Sequence, residues 1–196
     1  MTKRKLQAIE TKGIVFEAAV RLFKEKGYDN VSVNEICAEA GISVGGFYHH
    51  FRTKEDIVIE SFYNIDKFMA HAASELSEVK CSIDHIVDYL GYFANYVNYQ
   101  GMDFTCQLIK SEVSNARGFT TDMTRPIATN LERIVAEGQI KNEIRNDMTA
   151  GSIVNHILRY ARGIALNWCV CRGSYDIGAE ITDSARLFLT CFAPIK

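Results

Sequence analysis

Apolar residues recur every three or four positions along most of the chain, which is the spacing of α-helices that bury one face. A helix predicted over 6–26 carries the first such stripe, formed by Val15, Ala18, Ala19, Leu22 and Phe23. Only two prolines occur among 196 residues, so long helices meet few interruptions. No segment shows a convincing alternation of apolar and polar residues, and the pattern therefore predicts an all-α fold.

Helix ends are marked by capping residues, glycines and a proline. The predicted helices, about nine in number, cover 6–26, 33–40, 44–51, 54–79, 82–99, 103–114, 120–137, 148–172 and 179–192. Ser32 and Glu35 form a capping box for the second helix, Ser43 is expected to cap the third, and Asp147 is expected to cap the eighth. Pro126 lies near the start of the seventh helix or kinks it, and Gly138 is expected to form the turn that follows.

The second and third helices are short, and only Gly41-Ile42-Ser43 separates them. Two short helices joined by a tight turn that contains glycine are typical of a helix-turn-helix. The apolar residues expected to pack against the first helix are Val33, Ile36, Ala40, Ile42, Phe47 and Phe51. A long fourth helix, whose apolar stripe runs from Val58 to Val79, then connects this segment to the rest of the chain.

The residues left on the outside of the third helix have an unusual composition. They are Val44, Gly45, Gly46, Tyr48, His49 and His50. Two adjacent glycines in so short a helix cost about 2 kcal/mol relative to alanines. Close approach of duplex DNA would explain the glycines, whereas a frayed helix start is the alternative. Tyrosine and histidine beside them are suited to phosphate contacts.

The charge distribution supports an interaction with a polyanion. The net charge is only −2, but residues 1–54 hold nine lysines and arginines against six acidic residues, whereas the remainder holds 13 against 18. A basic end on an acidic body suits a protein that presents one end to DNA.

The six cysteines are scattered through helical segments and no secretory signal precedes them. We therefore expect reduced thiols in a cytoplasmic protein with no membrane partner.

Residues 41–57, Gly-Ile-Ser-Val-Gly-Gly-Phe-Tyr-His-His-Phe-Arg-Thr-Lys-Glu-Asp-Ile, resemble the signature of the TetR family of bacterial transcriptional regulators. The resemblance extends back through the second helix to the first and covers about the first 60 residues. Beyond them only the length, the helix count and the layout of the last two helices are similar. The resemblance implies a DNA-binding domain over 1–53, a helical domain for dimerisation and ligand sensing over 54–196, and a homodimer on a palindromic double-stranded operator.

Carried over by position, the resemblance also implies which side chains meet DNA. Phosphate contacts are expected from Ser32, Ser43, Tyr48, His49 and Lys54, and base contacts from Val44, Gly45 and His49. Gly46 is also expected at the DNA surface, although it stands where the family commonly has a small hydroxyl residue, which weakens the expectation of a side-chain base contact there. The basic segment Lys3-Arg4-Lys5 resembles arms that reach DNA, and a solvated terminus is an equal alternative.

The fifth helix is rich in aromatic residues that suit a ligand cavity for an unidentified small-molecule effector, and equally suit the edge of a buried face. The residues that we expect to line this cavity are Met69, Phe93, Tyr96, Phe104, Leu108, Met123, His156 and Tyr160.

The last two helices carry the broadest apolar faces, and the resemblance implies that they form a four-helix bundle with a second copy. The residues expected at this dimer interface are Ile157, Ala161, Ile164, Trp168, Ala185 and Phe188.

Other classes of protein fit the sequence less well. It has no phosphate-binding glycine-rich loop, no nucleophile elbow and no paired metal motif, so we expect neither an enzyme nor a resident cofactor or metal. Cys169 and Cys171 lie two positions apart on a helix, a poor spacing for chelation. A DNA-binding protein of the same fold without a ligand, with a chromosome-organising or scaffolding role, and an activator in place of a repressor remain as alternatives.

Overall fold

A computed structural model of the protein describes residues 3–75, 80–115 and 118–195. Within these ranges the chain forms nine α-helices and two short 3₁₀ turns, and it contains no strand. In chain order the helices are α1 (Lys3–Lys26), α2 (Val33–Ala40), α3 (Val44–His50), α4 (Lys54–Ser74), α5 (Ser82–Gln100), α6 (Met102–Asn115), α7 (Pro126–Ile140), α8 (Ala150–Val170) and α9 (Ile177–Leu189). The predicted all-α class is confirmed. Across the described part of the chain, no helix combines the length and apolar character needed to cross a membrane.

The chain divides into two compact units whose limits differ from the predicted boundary at 53/54. The head unit comprises Met1–Phe62 and Gln100–Ala116, and the body unit comprises Tyr63–Tyr99 and Arg117–Lys196. The first division therefore falls within α4, and α6 belongs to the head unit although the body unit lies on both sides of it in sequence. The predicted end of the α4 stripe, Val79, lies outside the described residues.

The core of the head unit contains a contribution from α6 that the sequence did not reveal. The Phe104 ring centroid lies 6.0 Å from that of Phe16 and 5.9 Å from that of Phe23, both on α1. Leu108, one turn further along α6, packs on the same core. Phe104 and Leu108 are therefore not part of a ligand cavity in the body unit, and this prediction was wrong. Gly101, between α5 and α6, has φ +88°, a conformation that favours glycine.

The predicted limits of α7 were wrong at both ends. Pro126 occupies the first turn of α7, where its missing N–H needs no helical partner, and turns precede it. Gly138 lies inside the helix and does not form a turn. A Cβ atom there would lie 2.7 Å from Ile144 Cδ1 and 2.8 Å from Ser82 Cβ. Close packing within the body unit therefore requires a glycine at this position.

The cap of α8 and the start of α9 also differ from the predictions. Thr149 caps α8, because its Oγ1 accepts a hydrogen bond of 3.2 Å from the Ser152 N–H. Asp147, the predicted cap, instead forms an ion pair with Arg145 at 2.6 Å. Asp176 caps α9 by accepting from the backbone of Gly178 and Ala179, so α9 begins two residues earlier than predicted.

Candidate nucleic-acid interface

The position of α3 is fixed by the helix and turn that precede it. Ser32 Oγ accepts from the Glu35 N–H at 3.2 Å, and the Glu35 carboxylate accepts from the Ser32 N–H at 2.9 Å, so the predicted capping box is present. Gly41 adopts φ +67° at the end of α2, and Ser43 then caps α3 by accepting from the Gly46 N–H at 3.1 Å. The helix-turn-helix therefore forms as its local signals indicate.

The capping network of α2 is electrostatic as well as geometric. Lys26 donates to Glu35 at 2.7 Å, and together with the Ser32 N–H and hydroxyl it lowers the pKa of the Glu35 carboxyl to about 2. Because this value lies below the ordinary 4.5, the ionised cap stabilises the fold at neutral pH and loses its effect as the pH falls from 4.5 towards 2. Both serines expected to contact phosphate thus also serve as helix caps.

Two aromatic residues anchor α3, and the opposite side of the helix faces outward. Phe47 is completely buried, and its ring centroid lies 5.7 Å from that of Phe51, which is also buried. Val44 and Tyr48, one turn apart, are 41% and 53% exposed. Gly45 and His49, the residues that follow each of them, are also exposed and extend the same face. We name the surface formed by Val44, Gly45, Tyr48 and His49 the recognition face.

Two basic side chains of α1 in the head unit are paired with acidic ones. Arg21 pairs with Glu39 at 3.0 Å, and Lys12 pairs with Glu60 on α4. Partial burial, with smaller effects from the charges of His49 and Lys12, lowers the pKa of His50 and favours its neutral form at neutral pH. The apolar and hydrogen-bonding groups of the recognition face therefore suit the reading of base edges in a groove more than a purely ionic contact.

The two glycines of α3 have different reasons to be glycine. A Cβ atom on Gly46 would lie 3.3 Å from Ser43 Oγ, the oxygen that caps the helix, so the fold itself disfavours a side chain there. A Cβ atom on Gly45 would make only an ordinary contact of 3.9 Å with the same oxygen. The fold does not require Gly45, and close approach of another molecule accounts for it better than for Gly46.

Lys54 was expected to contact a DNA phosphate, but its ammonium group binds acceptors within the head unit. Its Nζ donates to the backbone carbonyl of Tyr28 at 2.6 Å and to that of Val31 at 2.9 Å, and it lies 4.1 Å from the centroid of the Tyr28 ring. Partial burial lowers the pKa of this ammonium group, although the charge of Asp29 opposes the shift. Lys54 therefore ties the start of α4 to the turn between α1 and α2, a role that has no sequence signal because its acceptors are backbone atoms.

The residues expected to line a ligand cavity fall into several places. Met69 is fully buried and Tyr96 nearly so, and the Tyr96 ring centroid lies 5.4 Å from that of Phe68. Phe93 and Met123 are half-buried in the same body unit. His156 is exposed on α8, so its expected place in a cavity was wrong.

Tyr160 belongs to the contact between α8 and α9. Its ring stacks on Phe188 with centroids 4.4 Å apart, and its hydroxyl donates to the Ile181 carbonyl at 3.2 Å. These two partners account for Tyr160 without a cavity.

The residues expected at a dimer interface divide in a similar way. Four of them are buried within the single chain, namely Ile157, Ala161, Trp168 and Ala185. These four hold α8 and α9 in the body unit and offer no surface to a second copy, whereas Ile164 and Phe188 are half-buried. The exposed large apolar residues of the two helices are Leu166, Val170 and Leu187. The sequence pattern missed these three because they lie beside the stripes that build the core.

Comparisons with known proteins agree with this geometry. Residues 15–60 match the model of the family described as bacterial regulatory proteins, tetR family. The HTH-type transcriptional regulator SAB2452 of Staphylococcus aureus (strain bovine RF122 / ET3-1) is 26% identical over an alignment of 144 residues, and the match covers 59% of this chain and 76% of that protein. That relative is a transcriptional regulator, and the prediction that the chain is not an enzyme is confirmed.

Solved structures of the same fold include two regulators. PfmR of Thermus thermophilus, a TetR family transcriptional regulator, has a TM-score of 0.65 and 22% identity, with 90% of this chain and 97% of that chain covered. The transcriptional regulator FadR of Bacillus subtilis, solved in complex with stearoyl-CoA, has a TM-score of 0.61 and 18% identity, with 90% and 97% covered.

Gly45→Ala is expected to change the stability of the fold and the affinity for DNA in opposite directions. Alanine in this open helical position should stabilise the head unit by roughly 0.5–1 kcal/mol. If DNA approaches Gly45, the added methyl group should weaken duplex binding roughly 10- to 100-fold, which corresponds to about 1–3 kcal/mol. Fluorescence anisotropy and thermal denaturation measure the two effects. Gly13→Ala, in open space on α1, is the control and should raise stability only; unchanged DNA affinity in Gly45→Ala would contradict the assignment of the recognition face.

Lys54→Met tests the internal role of the ammonium group. Loss of two charge-assisted hydrogen bonds, with two carbonyls left behind, should lower the free energy of unfolding by about 1–3 kcal/mol. The dependence of log K on log salt should stay unchanged, because a lysine held by carbonyls displaces no counterion. A slope smaller by about 0.9 per phosphate would instead show that Lys54 meets DNA. The exposed Lys141 at the end of α7 provides the control, since Lys141→Met should alter neither quantity.

Proposed function

Because the chain belongs to the TetR family of bacterial regulatory proteins, we propose that it is a repressor that binds a palindromic operator as a homodimer and is released by a small molecule. The recognition face on α3 is the observation that carries this proposal. Val44 and Gly45 contact base edges in the major groove, and Tyr48 and His49 contact phosphates at its rim. Ser32 and Ser43, at the starts of α2 and α3, contribute further phosphate contacts.

Exposed apolar side chains on α8 and α9 support the homodimer. Leu166 and Val170, one turn apart on α8, are 48% and 72% exposed, and Leu187 on α9 is 76% exposed, so these two helices offer apolar surface that a second copy would cover. Gly163 is exposed on α8, and a Cβ atom there would meet nothing within 4 Å, which leaves room for close approach of a second backbone. The half-buried residues Ile164 and Phe188 extend this surface. A two-fold dimer then presents two recognition faces to two half-sites.

Aromatic side chains in the body unit support a small-molecule effector. The Phe68 ring lies against Tyr96, with centroids 5.4 Å apart, and its centroid is 6.4 Å from that of Tyr92. The two tyrosine rings combine apolar surface with hydroxyl groups, which suits a ligand that has both apolar and polar parts. The Bacillus subtilis neighbour binds stearoyl-CoA, which makes an effector with an apolar portion reasonable here. By linkage, the effector and operator DNA each weaken the binding of the other by the same factor.

The dimer is tested by placing charge on the exposed apolar surface. Val170→Glu combined with Leu187→Glu should convert a dimer into a monomer, because two copies would bring four carboxylates into an apolar contact. Analytical ultracentrifugation at low micromolar concentration measures the mass, and circular dichroism shows whether the helices remain. Ile140→Glu, at an equally exposed apolar position at the end of α7, is the control and should stay dimeric. Wild-type protein that sediments as a monomer would refute the dimer and the palindromic operator with it.

A further inference from the structure

A polar groove lies within the head unit, apart from the recognition face. Its volume is about 330 Å³, near the lower limit of ordinary ligand sites. Three segments form it: the turn after α1 supplies Tyr28, the start of α4 supplies Glu55 and Val58, and α6 supplies several side chains. All of these segments belong to one compact unit.

The α6 side of the groove is a continuous polar stripe. Its members are Gln107 and the residues three, four and seven positions after it, namely Lys110, Ser111 and Ser114. This spacing places them on one face of the helix, towards α4. Val58, which is 1% exposed, is the apolar residue of the lining. A purely apolar ligand would leave most of these polar groups without partners, so the groove suits a hydrophilic molecule.

The carboxylate in the groove is held in a defined position. Glu55 Oε1 accepts from the Ser111 hydroxyl at 2.6 Å and from the Asn115 amide at 3.0 Å. These bonds join the first turn of α4 to the last turn of α6. Burial, with a smaller effect of the Glu55 and Asp29 charges, raises the pKa of Tyr28, so its hydroxyl stays neutral at physiological pH. The groove thus presents one fixed acid and a neutral phenol on one side, and one base, Lys110, on α6.

We propose that this groove binds a small zwitterion of the amino-acid type, with its ammonium group at Glu55 and its carboxylate at Lys110. One negative and one positive side chain are the charges in the lining, and a ligand with a single net charge would satisfy one and face the other unfavourably. Gln107 and Ser114, on the same face as Lys110, supply further hydrogen bonds. The small volume restricts the ligand to a molecule of amino-acid size.

This site differs from the effector site proposed for the body unit, and either can exist without the other. It lies one residue from Lys54, and its Tyr28 wall is the residue whose carbonyl and ring Lys54 contacts. An occupant that bridges α4 and α6 would stiffen the packing of these two helices within the head unit. The site therefore offers a second way, besides the proposed effector, for a small molecule to act on the head unit.

The test uses the full chain and each of the standard L-amino acids in turn. At a concentration roughly ten times Kd, the bound amino acid should raise Tm by about 3 °C in thermal denaturation. The α-amide and the N-acetyl derivative of the same amino acid each lack one charge and should produce a much smaller shift. Calorimetric titration then gives Kd for the wild type and for two variants.

Glu55→Gln and Lys110→Gln should each weaken binding of that amino acid roughly 10- to 100-fold, the effect expected for loss of a charge-assisted hydrogen bond. Lys110 is exposed, so its variant keeps the fold even if Glu55→Gln loosens α6. Lys141→Gln, in the body unit, is the control and should bind like the wild type. No Tm shift with any amino acid would overturn the proposal, and so would a Kd that changes in neither variant or in only one of the two.

Discussion

The complete burial of Phe47, together with the contact between its ring and that of Phe51, is the constraint on which the DNA-binding head depends. A helix of only seven residues has little stability of its own in water. Attachment of α3 to the core through these two rings therefore decides both that the helix exists and which side it presents. Every residue of the recognition face is exposed because Phe47 faces the other way. Substitutions at Phe47 would disturb the interface without touching DNA.

The head unit is larger than the segment that carries the helix-turn-helix. Phe104 on α6 completes its core, and Lys54 ties α4 to the turn that precedes α2. Ser61 and Gln100, at the points where the chain leaves the head unit and returns to it, form a buried hydrogen bond. The support of the recognition face is thus assembled from two separate stretches of sequence. The groove between α4 and α6 lies where these two stretches meet.

Features that depend on neighbouring residues were predictable from the sequence. The capping box at Ser32, the cap at Ser43 and the left-handed turn at Gly41 are local, and each is found where the pattern placed it. Phe104 was assigned to the wrong place because helical spacing reveals a buried face without revealing its partner. Gly138 was wrongly expected in a turn for a related reason. A side chain there would collide with Ile144 and Ser82, which pack against the helix, and the local sequence does not show these neighbours. The buried residues of α8 and α9 were mistaken for a dimer surface because apolar surplus does not distinguish a core from an interface.

The most direct measurement of the central claim, that α3 reads DNA through its recognition face, is selection of bound duplexes from a random pool. The wild type should enrich a two-fold symmetric sequence, and Val44→Ala should enrich a sequence that differs at the same few positions of both half-sites. Val113→Ala, at an exposed position on α6, should enrich the wild-type sequence. Enrichment of identical sequences by the wild type and by Val44→Ala, or of no sequence by the wild type, would contradict the account.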